Sequence, residues 1–270
     1  MAVDEKVLAH LEAIKRQHGI TILHAVEVGS RAWGLATDGS DHDIGFIYVR
    51  RPQDYFKINH GHRDDSVQSN SDVVMFQVDG FGDIQGWDIS KALTMAYNSN
   101  PTIVDWLRLP SYYEADCMNL VRELMWEGFS TLKLRQMNVA TVKRNYLAYI
   151  KGKTHVPVKK YIHTVRPLLN ALWYERTAHF LGNLKDCPPY DYTKLCNVAA
   201  MDHDLLSGCI DLRQKRRDDK IMMERDARLD TWIEKLVTET RVPEGLSRTV
   251  PDITRYDAVF ASIVLNQGAV

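Results

Sequence analysis

The chain has 270 residues, of which 45% are hydrophobic, and carries 34 Lys and Arg against 35 Asp and Glu, a formal net charge of -1. This composition is typical of a soluble globular protein and excludes collagen-like, disordered and coiled-coil chains. The balanced charge disfavours a protein that coats nucleic acid non-specifically, although it is compatible with a local basic face.

The sequence shows no sign of membrane insertion or export. No apolar run approaches the roughly 18 residues of a membrane helix, and the charged N-terminal stretch lacks the apolar core of a signal peptide. The four cysteines form no C-x-x-C pair, so we expect free thiols rather than a zinc ribbon or a redox centre. We therefore expect a cytoplasmic protein with no membrane partner.

Up to about residue 110, short β-rich runs alternate with turns. Apolar residues on one face predict a helix at 3–18, which Gly19 would cap. Strands follow at 20–28 and 44–50, separated by a loop rich in Gly, Ser and Asp. The other elements predicted in this part are strands at 72–78 and 84–89, a helix capped by Ser90, and a short helix at 102–109.

Beyond residue 110 the pattern is nearly all helical. Pro167 lies inside one predicted helix, which we expect it to kink. The predicted helices span 114–127, 131–151, 157–181, 191–200 and 203–240. These patterns indicate an α+β protein, with a mixed β-sheet flanked by helices in a domain at 1–110 and an all-helical domain at 111–270.

The loop between the first two strands holds the residues best suited to chemistry. Gly29 and Ser30 end the first strand, and Asp41 and Asp43 lie two apart where the chain enters the next. Because strand residues i and i+2 point to one face, both carboxylates can converge on a cation. Oxygen ligands favour Mg²⁺ or Mn²⁺ over zinc. The glycine lets the backbone approach a phosphate, whose oxygens the Ser30 hydroxyl and amide can bind.

The G-S…S-D-x-D pattern between two strands resembles the DNA polymerase beta nucleotidyltransferase superfamily. The stretches GSRAWGLATDGSDHDIGFIYV and GWDISKALTMAYNSNPTIVDWLRLP are more similar to the YcgL-like predicted nucleotidyltransferases of bacteria and phages, some of which are linked to RNA repair. The similarity covers residues 25–110 and continues more faintly through 159–195.

The resemblance implies a metal-dependent enzyme. It would use two Mg²⁺ or Mn²⁺ ions to move a nucleoside monophosphate from an NTP to a hydroxyl acceptor, with release of pyrophosphate. The acceptor could be an RNA end such as that of a tRNA, a protein hydroxyl or a small molecule, and the resemblance favours RNA. The identity of the NTP and the oligomeric state stay open.

The superfamily also implies a third carboxylate, for which three residues are candidates. Asp83 and Asp88 are five apart and cannot share one face of a regular strand. Asp83 matches the family position just before the strand that leads into S-K-A-L, and Asp88 belongs to the G-W-D motif. Asp72 opens an earlier strand. We favour Asp83 as a metal ligand beside Asp41 and Asp43, and keep Asp88 as a further catalytic candidate.

In the helical half, Lys159 and Arg166 are seven residues apart and so lie on one helical face. In the family this helix faces the nucleotide pocket. The resemblance therefore implies that Lys159 or Lys160 and Arg166 bind phosphates and that Tyr161 lies near the sugar or base. For Arg31, substrate contact and a surface salt bridge are equally compatible with the sequence. An RNA acceptor face or simply a solvated face is predicted for Lys143, Arg144, Lys151 and Lys153.

Two alternative functions are compatible with the sequence. One is a non-catalytic nucleotide-binding or antitoxin-like regulatory partner, although the intact G-S and D-x-D argue against a decayed site. The other is a metal phosphohydrolase built on His203 and Asp204, with further ligands such as His163 and His179. For Trp33, packing under the loop is favoured over base stacking.

Overall fold

A computed structural model describes residues 5–56, 73–78, 81–177 and 187–266. It divides the chain into two compact units, each made of several segments. Unit 1 comprises Met1–Arg31, Asp41–Phe129 and Val250–Val270, and unit 2 comprises Ala32–Ser40 and Ser130–Thr249. The chain thus leaves each unit and returns to it.

Unit 1 is built on a five-stranded sheet with strand order β3-β4-β2-β1-β5. β2 and β4 run parallel, and the other neighbouring pairs are antiparallel. The sheet is therefore mixed, as the sequence predicted. The strands are β1 (Thr21–Val28), β2 (Asp43–Val49), β3 (Val73–Val78), β4 (Gly82–Asp88) and β5 (Ser111–Glu114), of which β5 was not predicted.

Helices cover both faces of this sheet. The helices of unit 1 up to residue 129 are α1 (Glu5–His18), α2 (Gly29–Ala32), α3 (Pro52–Tyr55), α4 (Ile89–Tyr97), α5 (Pro101–Trp106) and α6 (Met118–Glu127). One face packs against the apolar stripe of α1 in a core that includes Leu11 and Phe46. On the other face, the ring of Trp106 lies so close to Gly45 that a larger residue there would overlap it.

Unit 2 is largely helical. Its helices are α7 (Thr131–Asn145), which continues into a π-helical turn at Tyr146–Ile150, α8 (Val158–Thr177), α9 (Tyr192–Ala199), α10 (His203–Arg217) and α11 (Ala227–Thr238). A two-stranded antiparallel ribbon of β6 (His155–Pro157) and β7 (Met222–Glu224) adds to the predicted all-helical arrangement. Among the helices of the described ranges, none combines the length and apolarity needed to cross a membrane.

The single helix predicted at 203–240 is in fact two helices. The chain turns at Asp218–Lys220, where Asp219 has a positive φ of 49°, and forms β7 before α11 begins. Three consecutive charged residues at the end of α10 leave no apolar position to continue the helix's buried face.

A last helix, α12 (Ile253–Leu265), belongs to unit 1. It packs on α4 and α6, and the Tyr256 hydroxyl donates to the carbonyl of Leu124 at 2.9 Å. Unit 1 therefore extends past the predicted boundary at residue 110 and takes in the end of the chain. The packing of α6 and α12, rather than the change from strands to helices, sets its limits.

Candidate active site

The turn after β1 depends on a glycine. Gly29 has a φ of +67°, in the left-handed region that disfavours side chains. Register pairs Val28 with Asp43 across β1 and β2, and the Asp43 carboxylate lies directly against the α-carbon of Gly29. A Cβ at this position would overlap Asp43 Oδ2. Gly29 therefore lies beside the second acid of the D-x-D motif, and Ser30 follows it at the start of α2.

His42, the residue between the two acids, indicates the direction of Asp43. His42 Nδ1 donates to Glu27 Oε2 at 3.1 Å, and its ring stacks on Phe81 with centroids 5.1 Å apart. This places His42 on the face that packs against α1, so Asp43, the first residue of β2, lies on the opposite face. Asp41 is exposed, and its carbonyl accepts from Arg31 Nε at 3.2 Å.

The parallel pairing of β2 and β4 places Asp83 next to Asp43. Ile44 pairs with Ile84, so the residues one step earlier share one face and lie about 5 Å apart between backbones. The start of β4 is anchored there because the His42 amide donates to the Phe81 carbonyl at 2.7 Å. Asp83 is exposed, which leaves its carboxylate accessible.

Asp88, at the other end of β4, occupies a structural position. It is 1% exposed and caps α4 by accepting from the Ser90 amide at 2.9 Å. It also accepts from the Tyr55 hydroxyl at 3.1 Å and lies 3.5 Å from Arg50 Nε. Burial raises the pKa of the Asp88 carboxyl. The strand thus separates Asp88 from Asp83 by about 16 Å, and Asp88, not the predicted Ser90, is the cap. Asp72 lies outside the described residues.

The carboxylate oxygens of Asp41, Asp43 and Asp83 would hold a metal ion together with oxygens of a bound phosphate and of water. Within the ranges the structure describes, no three His, Cys, Asp or Glu side chains are already arranged around one ion position. The exposed carboxylates of Asp41 and Asp83 and the half-buried carboxylate of Asp43 nevertheless fit Mg²⁺ chemically, because this ion commonly binds to one or two carboxylates and completes its shell with phosphate oxygens and water.

Unit 2 contains the basic residues that the resemblance assigned to the nucleotide. Lys159 is exposed on the first turn of α8. Lys160 Nζ lies 4.4 Å from the ring centroid of Tyr149. The guanidinium of Arg166 is held between two aromatic rings, with its Cζ 4.8 Å from the ring centroids of Trp33 and Tyr190. Arg166 is therefore buried between two rings, whereas Lys159 is exposed and Lys160 is half-buried.

Tyr161 lies in the core of unit 2, away from any surface that a nucleotide could reach. It is 0% exposed, and its hydroxyl donates to Asp230 Oδ1 at 2.6 Å while accepting from the Asp226 amide at 3.1 Å. Burial and the Asp230 hydrogen bond raise the pKa of this phenol. Adjacent helix residues are about 100° apart, so Lys160 can face solvent while Tyr161 is buried.

Aromatic rings surround Arg166, and of these the sequence indicated only the packing of Trp33. Trp33 packs edge-on against His163 with ring centroids 5.2 Å apart, and its carbonyl accepts from the Tyr192 amide at 2.9 Å. Burial, with the charges of Lys159, Lys160 and Arg166, lowers the pKa of His163 to about 4. Packing rather than base stacking thus describes Trp33. The second ring beside Arg166 is Tyr190, which the sequence analysis did not single out. The P-P-Y run that ends at this residue is the signal that could have indicated it.

The alternative phosphohydrolase residues do not form a site in the described ranges. His203 and Asp204 are 95% and 75% exposed at the start of α10. His163 lies in α8 against Trp33, and His179 is outside the described residues.

Known proteins provide an independent comparison. Residues 3–262 match the model of a family described as RNA repair pathway DNA polymerase beta family. The uncharacterized protein YcgL of Bacillus subtilis (strain 168) is 32% identical over 238 residues, which are 87% of this chain and 84% of that protein. A nucleotidyltransferase-like protein from Exiguobacterium sibiricum 255-15 is 14% identical over 84% of this chain and 72% of that chain, with a TM-score of 0.25.

Proposed function

Because the chain belongs to the RNA repair pathway DNA polymerase beta family, we propose that this polymerase beta-type nucleotidyltransferase moves a nucleoside monophosphate from an NTP to the hydroxyl at an RNA end, with release of pyrophosphate. The observation that carries the proposal is the contact between Gly29 and the Asp43 carboxylate. It brings a backbone suited to phosphate binding against an acid suited to a divalent cation.

Different residues of unit 1 bind the phosphates, hold the metal ions and accept the proton. The amide and hydroxyl of Ser30 bind phosphate oxygens where Gly29 leaves the backbone uncovered. Asp41 and Asp43 hold Mg²⁺ or Mn²⁺, with Asp83 as the third carboxylate. The bound ions supply charge neutralisation and alignment of the phosphates for in-line attack. Asp83 accepts the proton of the acceptor hydroxyl, since its carboxylate is exposed beside Asp43.

Pyrophosphate release tests this proposal. The protein is incubated with each NTP, Mg²⁺ or Mn²⁺ and an RNA oligonucleotide, and the Asp41→Asn and Asp43→Asn variants are compared with Asp38→Asn. Asp38 is an exposed acid of the same loop and serves as a matched control. We expect the first two variants to lose transfer and the control to retain it.

Two outcomes would contradict the proposal. Full activity of an Asp41→Asn/Asp43→Asn double variant would remove the acids from the mechanism. Binding of NTP by the unaltered protein without turnover under any of these conditions would instead favour the non-catalytic regulatory function.

A further inference from the structure

Unit 2 contains a long stretch of chain without an acidic side chain. Between Glu127 and Glu175 the sequence has nine Lys and Arg and no Asp or Glu, although the whole chain has 35 acidic residues against 34 basic ones. The rest of the chain is therefore net negative. A local concentration of positive charge in a chain whose total charge is balanced is the electrostatic pattern of a surface that binds polyanions.

Two of these nine cations have structural roles. Arg135 is 5% exposed and pairs with Glu175 at 2.6 Å, and Arg166 is enclosed by two aromatic rings. Four others are exposed at the end of α7 and in the segment that links the π-helical turn to β6. These four are Lys143, Arg144, Lys151 and Lys153.

None of the four exposed cations forms an ion pair with an acid in the part of the chain that the structure describes. Their charge is therefore not neutralised by a neighbouring carboxylate. Solvated lysines are common on helical surfaces, so charge alone does not identify a binding surface.

The π-helical turn adds exposed apolar side chains to the charge. Leu147 is 51% and Tyr149 39% exposed, in a turn of a type that is frequent at functional sites. Lys160 Nζ lies over the Tyr149 ring, 4.4 Å from its centroid, so one face of this ring already carries a cation and a base would stack on the other face. Proteins that bind single-stranded RNA combine exposed aromatic rings, on which bases stack, with cations that follow the phosphates.

We propose that this surface, the basic turn formed by Lys143, Arg144, Tyr149, Lys151 and Lys153, binds single-stranded RNA. A base stacks on Tyr149 and the phosphates contact the four cations. The cations contact phosphates, which carry no sequence information, and every base has a face that can stack on a ring, so binding is independent of sequence. The assignment rests on the proposed function, since it locates the acceptor strand, but binding can be measured without transfer.

Fluorescence anisotropy of a labelled oligouridylate, without NTP or divalent metal, measures this binding directly. Lys151→Glu/Lys153→Glu should weaken it roughly tenfold or more, because two phosphate contacts become repulsive. Arg241→Glu/Arg248→Glu changes the charge by the same amount at exposed positions of unit 2 and should leave the affinity unchanged. If both double variants weaken binding equally, only net charge matters and the assignment of the basic turn is overturned.

The aromatic part of the surface has its own control. Tyr149→Ala should weaken binding about tenfold through loss of stacking, and Tyr149→Phe should restore it. Tyr113, 41% exposed in β5 of unit 1, provides the comparison, since Tyr113→Ala should have no effect. With four cations at the phosphates, the logarithm of the association constant should fall with the logarithm of the salt concentration with a slope of about -3.

Asp43→Asn separates this inference from the proposed function. The variant should bind the oligouridylate as tightly as the unaltered protein while losing transfer. If the unaltered protein has no transferase activity but its RNA binding responds to the basic-turn variants as described, the proposed function fails and the RNA surface stands. Binding to anionic lipid vesicles in place of RNA would overturn the RNA surface.

Discussion

The α-carbon of Gly29 lies against the carboxylate of Asp43, which belongs to the neighbouring strand. The contact joins the two halves of the sequence motif into one site, and it leaves no space for a side chain at position 29. It therefore allows the geometry of the site to be tested separately from the chemistry of its acids.

Gly29→Ala should displace Asp43 and reduce transfer by about 100-fold, since shifts near 1 Å at a reacting centre have effects of this size. The positive φ should also cost about 1 kcal/mol of stability. Gly19→Ala is the matched control, because Gly19 has a φ of +60° with nothing within 4 Å of an added Cβ. It should lose similar stability in urea unfolding but keep its activity. Equal activity of both variants would contradict the role of the contact.

Glu27 should act on the reaction through His42. Its carboxylate accepts from His42 Nδ1 at 3.1 Å and from the Tyr112 hydroxyl, which holds the residue between the two acids. Glu27→Ala should lower kcat about tenfold and raise the Mg²⁺ concentration needed for half-maximal rate, as loss of a group that orients metal ligands commonly does. Glu27→Gln still accepts both hydrogen bonds and should restore the rate. A stable Glu27→Ala protein with unchanged metal dependence would exclude this role.

Asp83 and Asp88 should show opposite phenotypes. Asp83→Ala removes an exposed side chain and should change stability by less than about 0.5 kcal/mol while abolishing transfer. Asp88→Ala removes a helix cap and the buried partner of Arg50, and should cost about 3 kcal/mol. Urea unfolding and transfer at low temperature measure the two effects. The reverse pattern would make Asp88 the third catalytic carboxylate.

His163 should make unit 2 sensitive to acid. Its pKa is about 4, below the ordinary value of 6.5, so protonation favours the unfolded chain. The stabilisation is complete above pH 6.5 and is lost as the pH falls toward 4, with an upper limit of about 3 kcal/mol. Relative to the unaltered protein, His163→Phe should gain stability as the pH falls through this window, because it keeps a ring against Trp33 without titrating. Denaturant unfolding at pH 7 and pH 4.5 measures the difference, and the exposed His203→Gln change should produce none.

The sheet and the core of the candidate site were predictable because their signals are local. β-branched runs marked β1 and β2, and the turn residues between them placed Gly29 next to the D-x-D motif. The choice between Asp83 and Asp88 needed the structure, since it depends on the pairing of β2 with β4 across residues that are distant in sequence. Which acid is catalytic remains a prediction.

Sequence patterns failed where the packing partner lies far along the chain. The short edge strand β5 has few residues and, among the described strands, pairs with β1 alone. The helix α12 packs on helices more than 100 residues earlier. The family resemblance implied that Tyr161 lies near the sugar or base of the nucleotide. Its burial depends on packing against α11, where its hydroxyl donates to Asp230, and α11 lies some 70 residues further along the chain.

The return of the chain to unit 1 through α12 has a consequence for biosynthesis. Segments from both ends of the sequence complete this unit, with Ser130–Thr249 inserted between them. A nascent chain that has emerged from the ribosome only as far as Thr249 has every acid of the proposed site but not the helix that covers α4 and α6. Unit 2 has all its segments by then, so it can fold on the ribosome at a stage when unit 1 still lacks its last helix.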